Sequence, residues 1–154
     1  QQQTVLDAIA PTTSGEGVYM YPSVAPDKMG DEAAMKAFAE ESRGKPFAFV
    51  VYQPGGNPIN QGMGPNLAKQ LLTCILGAAV LAWVLSLTAW GFSRRVMVAG
   101  AMALFAWIAI SVPYWNWYLF PTAFTLGALA EQLVGWLLAG AAIAWWLGRG
   151  ERVK

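Results

Sequence analysis

Glu131 is an acidic residue inside the apolar segment 122–147, and Gln132 follows it. A charged carboxylate at the centre of a bilayer costs roughly 2.5–3.5 kcal/mol on insertion scales, so this position needs an explanation. Two kinds of chemistry fit: a proton or cation site, or a polar clasp in which the protonated acid bonds to Ser, Thr or Trp groups of another helix. Because the segment holds no His, no Lys and no second acid, the clasp is favoured over a proton relay.

Carboxylates also occur side by side at Asp31 and Glu32, where they could serve a membrane enzyme. They open a predicted helix, however, and acids in a first helical turn are ordinarily favourable to the helix dipole. The chain has no His and one cysteine, Cys74. This composition excludes His-ligated and c-type haem, zinc sites of four Cys or His ligands, intramolecular disulfides and His-based catalysis. We therefore predict a non-enzymatic protein without catalytic residues, metal or cofactor.

All eight tryptophans lie in the second half of the chain. Most are near the ends of apolar segments, where anchoring of the ring at a membrane surface explains them. Trp107 and Trp136 lie deeper and could contact a bound lipid, quinone or pigment. Contact with bulk lipid or with another helix is the favoured explanation, so no such ligand is indicated.

Charge divides the chain into two parts. Residues 1–66 hold seven acids and four bases, whereas residues 67–154 hold six bases and two acids, so the whole-chain net charge of +1 hides two different segments. No basic patch is large enough to suggest nucleic acid. The first part is predicted to be a small water-soluble domain. The second is predicted to be a transmembrane domain whose partners are membrane lipids and other membrane protein subunits.

The second part contains three apolar segments long enough to cross a bilayer, predicted as helices 67–92, 96–112 and 122–147. In the first, the uncharged run of 23 residues that ends at Phe92 would reach roughly 35 Å as a helix, against a hydrocarbon core of about 30 Å. Pro113 is expected to end or kink the second helix. Aromatic belts at the two membrane surfaces are predicted from Tyr114, Trp115, Trp117, Tyr118, Trp145 and Trp146.

The positions of the arginines predict an orientation. Arg94 and Arg95 are expected in a tight connection between the first two helices, and with three spans Arg149 and Arg152 fall on the same side. An excess of Lys and Arg marks the cytoplasmic side of a membrane. We therefore expect a multi-pass protein of the bacterial inner membrane, with a cytoplasmic tail at 148–154 and the N-terminal domain in the periplasm.

The N-terminal domain, residues 1–66, is expected to begin with a weakly structured stretch, 1–16. Strand 17–22, helix 31–42 and strand 46–52 follow, and residues 53–66 form a linker. The order strand–helix–strand suggests a small crossover unit with parallel strands. Two strands and one helix bury too little surface to be stable alone, so the domain is expected to lean on the membrane helices, on a missing segment or on a partner.

Small residues recur every four positions around Glu131. Gly127, Glu131, Gly135 and Ala139 follow this spacing in the third predicted span. Small side chains let helix backbones approach closely. The stripe is equally compatible with packing inside this chain's own bundle and with packing against a partner subunit.

Five segments carry a likeness to known proteins: GVYMYP at 17–22, DEAAM at 31–35, NWY at 116–118, FTL at 124–126 and EQLVGWLLAG at 131–140. Through them the chain resembles a family of small, uncharacterised bacterial inner-membrane proteins. The resemblance implies one further membrane helix at the N-terminus, and hence a four-helix protein. Because the chain begins at Gln1 and not at Met, we expect either that an N-terminal segment was removed or that the sequence is incomplete. A lost signal peptide and a lost first membrane helix would both fit. The resemblance implies no activity and no catalytic residues.

Together these features predict a membrane all-α bundle with a small α+β extracytoplasmic domain. The predicted function is that of a non-enzymatic accessory subunit in a larger inner-membrane complex. A respiratory or photosynthetic electron-transfer complex would be a compatible host, although no residue selects it. The alternative is a small transporter or channel component that uses Glu131, and a membrane enzyme that uses Asp31 and Glu32 has the least support.

Overall fold

The computed structural model describes residues 1–57, 62–87 and 89–151. For residue 151 it describes the backbone only. The chain divides into two compact units, Gln1–Gly62 and Met63–Lys154. Within the described ranges it is mostly helical, with a strand pair in the first unit and, in the second, three helices long and apolar enough to cross a membrane. The predicted linker residues 58–61 and the tail residues 152–154, including Arg152, lie outside the described residues.

Helix α1 (Gln2–Ile9) starts the first unit, and a short 3-10 helix, Ala10–Thr12, follows it. The expectation of a weakly structured stretch over residues 1–16 is therefore wrong for most of that stretch. The sequence gives little sign of this helix. None of its eight residues is buried, so it needs no apolar face, and no side chain caps its start. A side-chain hydrogen bond one turn apart supports it, from Gln3 Nε2 to Asp7 Oδ1 at 2.8 Å.

The strands of the first unit, β1 (Gly17–Tyr21) and β2 (Ala48–Tyr52), pair antiparallel, with Gly17 opposite Tyr52 and Tyr21 opposite Ala48. The prediction of parallel strands is therefore wrong. The connection from Tyr21 to Ala48 leaves and re-enters the pair at the same end, so it does not cross the sheet. Antiparallel ladders are also slightly more stable per residue, which favours this arrangement in a sheet of two short strands.

Helix α2 (Glu32–Glu41) begins at a capping residue, Asp31. The Asp31 Oδ1 atom accepts hydrogen bonds from the backbone N–H groups of Ala33 and Ala34 at 2.9 and 3.2 Å. A cap of this kind stabilises a helix by about 1 kcal/mol, because it satisfies N–H groups that the start of a helix leaves without partners. The Asp31 carboxylate therefore has a structural role.

No described residue of the first unit is buried. Tyrosine hydroxyls hold its segments together: Tyr21 donates to the Thr12 carbonyl oxygen at 3.1 Å, and Tyr19 donates to the Gly15 carbonyl oxygen at 2.9 Å. The rings of Tyr19 and Tyr21 stack with centroids 6.4 Å apart. A unit held mainly by surface contacts gains little from the hydrophobic effect.

The second unit consists of α3 (Gly64–Ser86), α4 (Phe92–Trp117) and α5 (Thr122–Glu151). Helix α3 ends at Ser86 and not at the predicted Phe92, and α5 continues beyond its predicted end at 147. Helix α4 already begins at Phe92, so Arg94 and Arg95 lie in its first turn. The prediction that these two arginines belong to a connection between helices is therefore wrong.

Pro113 does not end helix α4, which continues to Trp117. A proline removes one hydrogen bond from a helix, and here the loss falls about one turn before the end. Hydrogen bonds close the turn that follows: the Tyr118 N–H donates to the Tyr114 carbonyl oxygen and Trp115 Nε1 donates to Thr122 Oγ1, both at 3.1 Å. The predicted end at residue 112 is wrong because these contacts stabilise the last turn beyond the proline.

Helices α4 and α5 form the main packed pair of the second unit, and α3 packs against them over a smaller surface. At the closest approach of the pair, Gly140 of α5 lies against Ala99 of α4, and a Cβ added to Gly140 would collide with the Ala99 Cβ. Helix α3 contributes Leu81 and Leu85 to the same core. Small side chains thus set the distance between α4 and α5.

We expect Gly140→Leu to destabilise the purified chain, because the added side chain has no space beside Ala99. Overpacking of this kind typically costs about 1–3 kcal/mol, or roughly 5 °C in the midpoint of thermal unfolding. The measurement is thermal unfolding in detergent. Gly135→Leu is the matched control on the same helix, since no described atom lies within 4 Å of a Cβ added at Gly135. Equal midpoints for the two variants would contradict the packing described for Gly140.

Candidate functional site

Helix α5 has one face against α4 and α3 and one face that no described residue covers. The packed face includes Thr125 and Gly140, which are buried. The uncovered face, here called the outer face, consists of exposed residues at helical spacing: Gly127, Glu131, Val134, Gly135 and Leu138. This face contains the one acidic residue described within the candidate span Thr122–Gly150.

Glu131 lies on the outer face roughly 14 Å along the helix from Thr122. Its side chain is exposed and makes no hydrogen bond or ion pair with any described residue. Gly127 and Gly135, one turn before and after it, are exposed as well, and a Cβ added to either would meet no described atom within 4 Å. The carboxyl therefore stands on an open strip of backbone that neighbouring side chains do not shield.

The predicted stripe around Glu131 is divided between two surroundings. Gly127, Glu131 and Gly135 lie together on the outer face, whereas Gln132 and Ala139 are half-buried. The Gln132 Oε1 atom is enclosed and has no hydrogen-bond partner among the described groups. Gln132 and Ala139 thus belong to the packing of this unit, and the other three face away from it.

A polar contact between α4 and α5 does exist, but at a different place. The Trp107 indole Nε1 donates to the Thr125 carbonyl oxygen at 2.8 Å. The Thr125 hydroxyl, on a residue only 5 % exposed, donates to the Pro121 carbonyl oxygen at 3.3 Å. The sequence favours lipid or helix contact for Trp107, and the structure gives helix contact. Thr125 was not predicted, and its one sequence signal is a hydroxyl four residues after a proline.

Aromatic side chains cluster where α4 turns into α5. The ring centroids of Tyr114 lie 5.5 Å from Tyr118 and 5.4 Å from Phe120, and Phe120 lies 5.4 Å from Phe124. Phe120 and Phe124 were not predicted as part of a belt. The remaining belt residues at this turn, Trp115 and Trp117, are exposed.

The other end of the α4–α5 pair carries the arginines and the second aromatic group. Trp145 and Trp146 are exposed, and the Arg149 guanidinium carbon lies 4.3 Å from the centre of the Trp145 ring. Arg94 is exposed, but the neighbouring Arg95 is only 2 % exposed. The four arginines predicted to set topology therefore differ in structure: Arg94 and Arg149 are at the surface, Arg95 is buried, and Arg152 lies outside the described residues.

The described side chains do not bring three or more His, Cys, Asp or Glu residues together into a group that could hold a metal ion. Comparisons of the chain with models of protein families, with curated proteins and with solved structures find no match. The resemblance to small inner-membrane proteins therefore stays a prediction.

Trp107→Phe should lower the stability of the purified chain by about 1 kcal/mol, because it deletes the hydrogen bond to Thr125 while keeping most of the aromatic volume. Thermal unfolding in detergent measures the change. The matched control is Trp83→Phe on α3, since Trp83 is exposed and the described residues give its indole no hydrogen bond. If both variants unfold at the same temperature, the Trp107–Thr125 contact does not hold the pair together.

Proposed function

We propose that this chain is a non-enzymatic accessory subunit of a larger bacterial inner-membrane complex, and that the outer face of α5 binds a membrane helix of a partner subunit. One observation carries the proposal. Glu131 is exposed within a candidate span and has no partner among the described residues.

In a bilayer, the lipid hydrocarbon around α5 would make the exposure of the Glu131 carboxyl unfavourable. In hydrocarbon a carboxylate is expensive, and even a protonated acid loses the hydrogen bonds that water would give it. A partner helix that supplies a donor at the depth of Glu131 removes this cost. The donor would be a Ser, Thr, Asn, Lys or Arg side chain on that helix.

The glycines beside Glu131 suit a close approach. Gly127 and Gly135 leave the backbone uncovered one turn to each side of the acid, so a partner backbone could come near enough for a short side chain to reach the carboxyl. Within this chain the same principle already operates at Gly140 and Ala99. The outer face thus combines a shape that admits a helix with a polar group that requires one.

The proposed placement follows from the two ends of the α4–α5 pair. The end with Arg94 and Arg149 would be cytoplasmic, because Lys and Arg accumulate on that side. The aromatic turn around Tyr114 would then be at the periplasmic surface, and the first unit would form a periplasmic cap. Membrane lipids and other membrane subunits are the proposed partners, and an electron-transfer complex of respiration or photosynthesis is a compatible host.

The alternative, a transporter or channel component, requires Glu131 to line a path for ions. Because Glu131 lies on the outer face, such a path would have to form against another molecule and not inside this unit. Flux through proteoliposomes that contain only this chain, abolished by Glu131→Gln, would favour the alternative over an accessory role.

The proposal is tested by mild solubilisation of the tagged chain, expressed at its endogenous level, followed by native gel analysis and identification of co-purified proteins. We expect the chain to migrate in an assembly larger than itself. Glu131→Leu should reduce the recovered partner roughly three- to twentyfold, the range set by one interhelical hydrogen bond. Glu131→Gln, which keeps a hydrogen-bonding side chain, should reduce it less.

Gly135→Leu should also reduce recovery, because it fills the space that the partner backbone would occupy. Ala79→Leu is the matched control, since Ala79 is an exposed small residue on α3. A wild-type chain that migrates alone would refute the proposal. Equal losses for Gly135→Leu and Ala79→Leu would refute the assignment of the interface to the outer face.

A further inference from the structure

Lys69 is the one charged residue of helix α3, and it lies in the part of that helix that no described residue covers. Every residue from 67 to 76 is exposed, whereas Leu81 and Leu85, further along α3, are buried in the core of the unit. The described residues give the Lys69 amino group no hydrogen bond and no salt bridge. The first half of α3 therefore presents an uncovered helix surface with one positive charge.

Lys69 lies at nearly the same level along the helices as Glu131. Helix α4 runs back between α3 and α5, so α3 and α5 point in the same direction. A Cβ added to Gly77 of α3 would collide with the Trp136 ring of α5, so these two residues mark a common level. Lys69 precedes Gly77 by roughly 12 Å along its helix, and Glu131 precedes Trp136 by roughly 7.5 Å. The flexible four-carbon stem of a lysine can span the difference of about 4.5 Å.

The two charges have opposite signs, but they do not meet within one chain. Among the described residues the one salt bridge joins Lys45 to Glu41 in the first unit. The other charged side chains that the structure describes in the second unit are at the opposite end of its helices: Arg94, Arg95 and Arg149. In hydrocarbon a lone lysine or a lone carboxylate is expensive, and pairing two opposite charges lowers this cost.

A second copy of this chain supplies the missing charge to each of these residues. Copies that insert in a membrane with the same orientation have parallel α3 and α5 helices, and each residue has the same depth in every copy. Helix α3 of one copy, placed beside α5 of another, therefore brings Lys69 within reach of Glu131. Gly127 and Gly135 let the two backbones approach closely at this level. A helix of any other protein would need a base at the same depth, whereas this chain already has one.

We infer that α3 of one copy binds the outer face of α5 in a second copy, and that Lys69 pairs with Glu131 across this contact. The surface on α3, here called the Lys69 face, consists of exposed residues at helical spacing: Lys69, Leu72, Thr73 and Leu76. On both helices apolar residues follow the charge, Leu72 and Leu76 on α3 and Val134 and Leu138 on α5. The inference rests on the proposed function, because it names the partner of the outer face.

The test uses two differently tagged full chains, expressed together and solubilised in a mild non-ionic detergent. Capture through one tag is followed by detection of the other tag, and we expect the wild-type chain to capture its second copy. Lys69→Met or Glu131→Leu, present in both copies, should lower this capture about tenfold, within the range of one interhelical polar contact. The matched control is Arg94→Gln, which removes an exposed charge at the other end of the helices and should leave capture unchanged.

A mixture of the two variants distinguishes this contact from every arrangement within one chain. A Glu131→Leu copy still offers Lys69, and a Lys69→Met copy still offers Glu131. Their co-expression should therefore restore capture to within about twofold of the wild-type level. The double variant Lys69→Glu with Glu131→Lys should also retain capture, whereas either exchange alone places like charges together and should abolish it.

Four results bear on the inference. Unchanged capture with Lys69→Met would overturn it, since the lysine would then extend to water and headgroups. No recovery in the mixture would also overturn it, because Glu131 would then pair with itself or within its own chain. Capture of a different protein that depends on Glu131, without a second copy, would overturn the inference and leave the proposed function intact. An assembly that contains only copies of this chain would support the inference and refute the accessory role.

Discussion

The close contact between Gly140 and Ala99 is the constraint on which the second unit depends. It lets the backbones of α4 and α5 approach along their length, so that Ala103 and Ala144 are also buried between helices. The Trp107–Thr125 hydrogen bond also links α4 to α5, and it needs the same short distance between the two helices. At the opposite end the same approach brings Arg95 and Arg149 to one cavity. A larger residue at 140 would therefore disturb features that are far apart in sequence.

The same contact decides which side of α5 remains uncovered. A helix presents its residues at about 100° intervals, so fixing Gly140 and Ala144 against α4 places Glu131 on the far side. The adjacent Gln132 then turns toward the packed side, although the two polar residues are neighbours in the chain. The outward position of the acid thus follows from the packing of apolar and small residues, without any contact of its own. This is why a partner from outside the unit is the economical explanation for it.

The sequence predicts the long apolar helices well, because uncharged runs of this length are rare outside membranes. It predicts their ends poorly. Helix α4 continues past Pro113 because the aromatic turn stabilises its last residues, and Arg94 and Arg95 are helical because the connection lies earlier, before Phe92. The strand pair is antiparallel because strand direction depends on the path of the connection, which alternation of residue types does not encode. Likewise, the four-residue spacing of Gly127, Glu131, Gly135 and Ala139 reveals a helical stripe, but not that packing leaves only part of it uncovered.

The polar groups of the second unit fall into two classes with different physical consequences. The Trp107 indole N–H donates to a backbone carbonyl oxygen within the α4–α5 pair, so this hydrogen bond can form in an isolated chain. Glu131 and Arg149 are instead exposed, one midway along a candidate span and one near its end. In a bilayer, a carboxyl at mid-span would meet hydrocarbon where nothing covers it, whereas an arginine at the end of a span would meet water and headgroups. In a bilayer, the depth of each group, more than its chemical type, therefore determines whether water and headgroups can reach it.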